Sequence, residues 1–130
     1  MTVFQTLRHK IRVFRANRRE KKKLTERSPK WPAVEHAFRK DHPACVACHG
    51  IDHVQVHHKQ PFHLHPELEL EPSNLISLCM GPNECHLVIG HGDSFRCWNP
   101  NVEKDAAAFA AADTVKRVEI QKQVKLQRKK

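Results

Sequence analysis

The chain has 130 residues, of which 6% are aromatic and 39% hydrophobic. That suits one compact domain with extensions and excludes a large self-sufficient core, so a metal or disulfide staple is expected. The formal net charge of +9 is segregated: residues 1–30 carry eleven Lys/Arg against two acids, residues 114–130 seven against one, and residues 31–113 five against eleven. The ends are thus basic (+9 and +6) and the middle acidic (−6). Basic blocks of this kind serve as nucleic-acid arms or as solvated tails.

Residues 2–27 read as a helix, because Phe4, Leu7, Ile11 and Phe14 recur at three- and four-residue steps. Arg and Lys cover its other faces, and Arg12, Arg15, Arg18, Arg19, Lys21, Lys22 and Lys23 are the candidate phosphate contacts. Ser28-Pro29 and Trp31-Pro32 mark a linker, and residues 33–40 a short helix. Val54 and Val56 alternate with polar neighbours, which predicts a strand ending near His58. Pro61, Pro66 and Pro72 make residues 59–73 a loop. Asn74 opens the apolar run Leu75-Ile76-Ser77-Leu78, a second strand or short apolar turn. Cys85 to Ile89 predicts a helix ended by Gly90 or Gly92. From Val102 the alanine-rich segment predicts one long helix, with Asn101 as a cap and a basic, fraying end. The expected division is a basic helical arm (1–30), a central domain (31–101) and a C-terminal helix with a basic tail (102–130).

No stretch approaches the ~18 apolar residues of a membrane span, and no apolar leader core is evident. A cytoplasmic, membrane-free protein is therefore expected. Five cysteines without secretory features suit a reducing compartment, where paired cysteines more often bind metal than form disulfides. Cys45 and Cys48 form a CxxC pair, and Cys79 and Cys85 a wider one. Together they offer four soft ligands to one structural Zn²⁺ in a closed site. Cys97 reads as a small core residue.

Eleven histidines are present, most of them between His36 and His91. Their grouping with the cysteines, Cys45-Val46-Ala47-Cys48, His57-His58-Lys59-Gln60-Pro61, Asn74 to Cys79 and Cys85-His86, resembles the HNH endonucleases, the ββα-metal or His-Me finger group, in their cysteine-bearing branch. The stretch from His86 to His91, with Gly92 and Trp98 beyond it, is also similar to small bacterial and phage HNH proteins. The resemblance covers roughly a third of the chain.

The resemblance implies an α+β fold: a small zinc-stapled ββα-metal finger with flanking helices. It implies that His58 is the general base and that Asn74 holds the loop and the base in place. It gives His57 and His86 to one catalytic divalent metal (Mg²⁺, Mn²⁺, Ni²⁺ or Zn²⁺). His91 joins them as a further candidate, although five residues after His86 it leaves the face that a regular helix would share. The implied partner is nucleic acid, foremost double-stranded DNA. The chemistry is coherent without the family: adjacent strand residues point to opposite faces, so one imidazole can serve a metal and its neighbour a water. Asp52-His53 is a competing acid–histidine pair, and His63 and His65 fall in the loop. A non-catalytic zinc-ribbon nucleic-acid-binding protein is the alternative function.

Overall fold

The computed structural model describes residues 26–130 together with Val3, residues 5–8, residues 10–12 and Arg15. Those N-terminal residues are helical, and Arg12 and Arg15 are exposed on them. Arg18, Arg19, Lys21, Lys22 and Lys23 lie outside the described residues.

Helix α1 spans Trp31–Asp41. The Trp31-Pro32 pair opens this helix instead of preceding it, because a proline in the first turn forfeits no intrahelical bond and arrives with a helical φ. Arg39 and Lys40 occupy its last turn, where cations meet the negative end of the helix dipole. His42-Pro43 then turns the chain toward the first cysteine pair, since a residue before proline is driven out of the helical region.

Strands β1 (Val54–His58) and β2 (Leu75–Cys79) form a two-stranded antiparallel sheet. Val54 faces Cys79, His57 faces Ile76 and His58 faces Leu75. Every residue of β2 is buried, so the second apolar run is a strand covered on both faces. The connection holds two short 3₁₀ turns, Pro66–Leu68 and Pro72–Asn74, each started by a proline.

After β2, the predicted helix is a single π-helical turn, His86–Gly90. Gly90 packs against the sheet so closely that a Cβ there would stand 3.2 Å from both His57 Cε1 and Leu78 Cδ1. The expected long C-terminal helix is two helices, α2 (Val102–Ala111) and α3 (Thr114–Gln127). Asp113 explains the break: its carboxylate accepts the Lys116 amide at 2.9 Å, and this capping geometry interrupts a run whose alanines favour continuation. Asn101 makes no side-chain cap. Instead the fully buried Asn99 accepts the Asn101 amide at 2.9 Å, while its own amide reaches Ile89 O at 3.0 Å and Asp105 Oδ2 at 2.9 Å.

Beyond α3 the chain turns back onto Trp98. Trp98 and Lys129 exchange backbone hydrogen bonds in both directions, at 2.8 and 2.9 Å. The hydrophobic core gathers Ile76, Leu78, Ile89, Val102, Ala106 and Phe109 around Cys45, Cys79 and Cys85. The fold is therefore small, mixed α+β, with the cysteine cluster inside the core. Among the described residues no helix is long and apolar enough to cross a membrane.

Candidate metal centres

The loop after α1 and the end of β2 bring Cys45, Cys48, Cys79 and Cys85 together, with all four sulfurs within 4.8 Å of one another. Cys48 Sγ and Cys79 Sγ are 3.5 Å apart. Four ligands at ~2.3 Å from a central ion on a tetrahedron stand about 3.8 Å apart, so the cage has the dimensions of a four-thiolate site. A turn builds each half. Cys45 donates its amide to Gly50 O and His49 donates back to Cys45 O, both at 2.8 Å, with His49 at φ 63°. The five-residue gap of the second pair closes through a Gly81–Glu84 bond of 3.0 Å, with Glu84 at φ 47°. The wider spacing therefore still returns Cys85 beside Cys79.

The protons of this cage are unevenly held. The hydrogen bond from Cys85 pulls the Cys45 thiol down to about 4 against its burial, and backbone N–H groups of Cys48, Cys79 and Ala47 add to the effect. Donating to Cys45 pushes Cys85 up, and burial reinforces it; burial raises Cys79 as well. One thiolate forms easily and its neighbours then resist, so full deprotonation of the cage calls for a cation at its centre. All five cysteines are free thiols. Cys97 is buried and does not belong to this group.

The second cluster is built around the π turn. His57 from β1, His86 at the start of the turn and His91 just after it offer nitrogens within 4.8 Å of one another. His57 Nδ1 is 3.1 Å from His86 Nε2, which is 3.2 Å from His91 Nε2. The five-residue spacing that would separate His86 and His91 on an α-helix is matched by the i→i+5 periodicity of a π turn. His91 is thus brought alongside His86 and His57.

Two further bonds orient the His86 and His91 rings and assign their tautomers. His86 Nδ1 is 2.7 Å from Gln55 Oε1, and His91 Nδ1 is 2.7 Å from the Cys97 carbonyl. Those oxygens accept, so both Nδ1 atoms donate, and both Nε2 atoms present lone pairs to each other at 3.2 Å. Facing lone pairs repel unless a cation lies between them. Carboxamide and carbonyl partners on the far nitrogen are also the usual orienting shell of metal-ligating histidines. Burial, then the neighbouring His91, lowers His86 to about 4; burial lowers His91 and most strongly His57, where His86, His91 and His58 add repulsion. All three imidazoles are therefore neutral near pH 7 and able to coordinate. Three imidazoles leave coordination positions open, unlike the four-sulfur cage.

His58 occupies the other face of β1. It is buried, its ring lies 4.5 Å from that of Trp31, and its Nε2 donates to Glu69 O at 2.9 Å. The lone pair is consequently on Nδ1. Burial lowers its pKa and the Arg27 cation adds to this, while the Glu69 carbonyl opposes both. Asn74 pins the loop that precedes it in space: Oδ1 accepts the Gln60 amide at 2.8 Å, and Nδ2 donates to Gln60 O at 3.1 Å and Leu68 O at 3.2 Å. The backbone adds a bond of 2.8 Å from Lys59 N to Asn74 O, directly after His58.

A cleft of about 380 Å³ is lined by His57, His58, His86 and His91. Sequence reasoning passed over several groups at its rim. Arg27 lines it, with its guanidinium 4.6 Å from the Phe62 ring, 5.5 Å from the Trp31 ring and 4.0 Å from Glu69 Oε1. Phe95 (60% exposed) and Arg96 also line it, and the Phe95 ring is 5.0 Å from that of His91. Only an aromatic two residues before Cys97 hinted at them in the sequence. Asp52 and His53 are exposed and belong to neither cluster. His63 is exposed at the cleft, and His65 pairs with Glu67 at 3.1 Å. No family model, curated protein or solved structure matches this chain.

Proposed function

We propose that the protein is a metal-dependent endonuclease of the HNH type, acting on DNA phosphodiester bonds through a ββα-metal arrangement of β1, β2 and the π turn. The observation that carries this reading is the pair of facing imidazole lone pairs on His86 and His91, with His57 beside them and His58 lining the same cleft. The four cysteines would hold a structural zinc, and His57, His86 and His91 a second divalent ion. Bound to the three imidazoles, that ion would supply Lewis-acid stabilisation of charge on the scissile phosphate and the departing oxygen.

The chain's own residues supply the rest. His58 Nδ1, fixed as the acceptor by the Glu69 bond, takes a proton from the attacking water. The water oxygen bonds to phosphorus as the P–O3′ bond breaks, leaving a 5′-phosphate and a 3′-hydroxyl once the alkoxide takes a proton. Burial lowers the His58 pKa, so the ring is unprotonated near pH 7 and available to accept a proton. Asn74 has no proton to give at any useful pH; its three hydrogen bonds keep the Gln60 and Leu68 loop, and with it the base, in place. Arg27 and Arg96 bring positive charge to a cleft in the otherwise acidic middle of the chain.

Nicking of supercoiled plasmid with added Mg²⁺, Mn²⁺, Ni²⁺ or Zn²⁺ tests the proposal. The wild type is expected to nick and His58→Ala to lose at least ~100-fold in rate while still binding DNA. DNA binding without cleavage under all four metals would instead favour a zinc-ribbon binding protein.

A further inference from the structure

The segment between His91 and Trp98 carries one metal-ligating imidazole, yet it has no regular secondary structure. Loops of this kind hold a ligand loosely unless something outside them fixes the backbone. His91 depends on that backbone twice: its own main chain places the ring, and the Cys97 carbonyl 2.7 Å away sets its proton. Cys97 N donates to Ser94 O at 2.8 Å within the loop, and the segment after α3 holds the adjacent Trp98 from outside it.

The last turn of α3 and the segment after it close over the loop at three points. Arg128 Nη1 donates to Gly92 O at 2.6 Å. Trp98 N donates to Lys129 O at 2.8 Å, and Lys129 N to Trp98 O at 2.9 Å. Lys125 Nζ reaches Asp93 Oδ2 at 3.3 Å, an exposed pair of small weight. Gly92 makes the approach feasible: it sits at φ +60°, and a Cβ there would stand 2.9 Å from Arg128 Cβ. The bonds therefore grip residues immediately after His91 and immediately after Cys97.

We infer that Arg128 and the backbone of Lys129 are positioning elements of the three-histidine centre: they strap the 91–98 loop so that His91 Nε2 stays 3.2 Å from His86 Nε2. This rests on the reading of those histidines as metal ligands. It also gives the basic residues at this end of the chain a role apart from binding phosphate.

The test uses full-length protein with its four-cysteine site loaded with zinc, titrated calorimetrically with Ni²⁺. Lys129→Pro removes one amide donor; Arg128 at φ −58° and ψ 147° already has the extended backbone that a following proline requires. Lys129→Pro and Arg128→Ala are each expected to weaken Ni²⁺ binding by ~10-fold or more, the usual cost of losing an orienting contact. Lys129→Ala, which keeps both backbone bonds, should bind like the wild type, and Arg128→Lys should recover part of the loss. Should Lys129→Pro fail to fold, Arg128→Ala carries the same test. Unchanged Ni²⁺ affinity in these variants, with or without a lower thermal midpoint, overturns the strap. Absence of Ni²⁺ binding by the wild type, or equal binding by His86→Ala, overturns the metal reading itself.

Discussion

The two clusters differ in what surrounds them more than in ligand number. The cysteine cage is enclosed by the core: Cys45 and Cys85 are fully buried, and the same packing takes in Ile76, Leu78 and Ala106. The histidine cluster opens on a cleft, beside an exposed Phe95 and two arginines. Closed four-thiolate sites carry folding energy, and three-ligand sites with open positions carry chemistry. One short chain thus carries an enclosed cluster and an open one side by side, joined where the second cysteine pair runs into the π turn. Cys85 stands directly before the turn, and His86 and His91 bracket it.

The sharpest way to break the comparison is to empty the cage. Cys85→Ser would remove one of the four candidate ligands and leave three sulfurs for the proposed zinc. Loss of the cooperative fold is expected, because metal binding to such sites is itself folding free energy, on the order of 10 kcal/mol. Circular dichroism with and without a strong chelator checks this. By contrast His86→Ala should leave the thermal transition of zinc-loaded protein largely in place. A variant lacking Cys85 that melts like the wild type would dissolve the distinction between the two centres.

Next in size is proton release. Burial lowers His57, His86 and His91, with His86 at about 4. At pH 6, three ordinary histidines of pKa about 6.5 would release roughly two protons on binding a metal. Here burial lowers all three imidazoles, so Ni²⁺ binding at pH 6 should release fewer protons than that, as calorimetry in buffers of different ionisation enthalpy would read. The same depression has a stability sign. Between about pH 6.5 and 4 the unfolded chain binds more protons than the folded one, so protein without metal at the histidines loses stability as pH falls through that window. A rise in thermal midpoint on going from pH 7 to 5 would contradict the burial of these rings.

Much of this was legible in the sequence because ligands and strands leave local signatures. The CxxC pair, the alternation before His58 and the apolar run after Asn74 each predict an element that the fold contains. Residue spacing read on an α-helix sets His91 apart from His86, and only packing of Gly90 against His57 and Leu78 reveals the wider turn. The break at Asp113 is hidden by alanine propensity, which a single capping carboxylate outweighs. The docking of Lys129 on Trp98 leaves no trace in composition, since it uses backbone groups that any residue carries.

The smallest expected effect concerns Arg27, and it bears on the open centre alone. Its guanidinium is half-exposed at the cleft, resting over Phe62 and Trp31 and 4.0 Å from Glu69 Oε1. On the proposed function, a cation held in that way would have two consequences. It would attract one phosphate of the proposed DNA substrate, so Arg27→Gln should weaken DNA binding several-fold and flatten the slope of log affinity against log salt by about one counterion. It also faces the base. His58 is lowered mainly by burial, with Arg27 adding to the depression, so removing the cation should raise the His58 pKa and shift the acid limb of kcat/KM to higher pH. A purely structural contact would predict neither change, only a loss of stability from the Glu69 and Phe62 contacts. Arg27→Lys separates the two further. That variant would keep the charge, and hence most of the salt slope and the acid limb, but lose the guanidinium contact with the Phe62 ring. A salt slope and pH profile identical to wild type in Arg27→Gln would mean that Arg27 braces the loop and touches no substrate, leaving Arg96 as the cleft's cation.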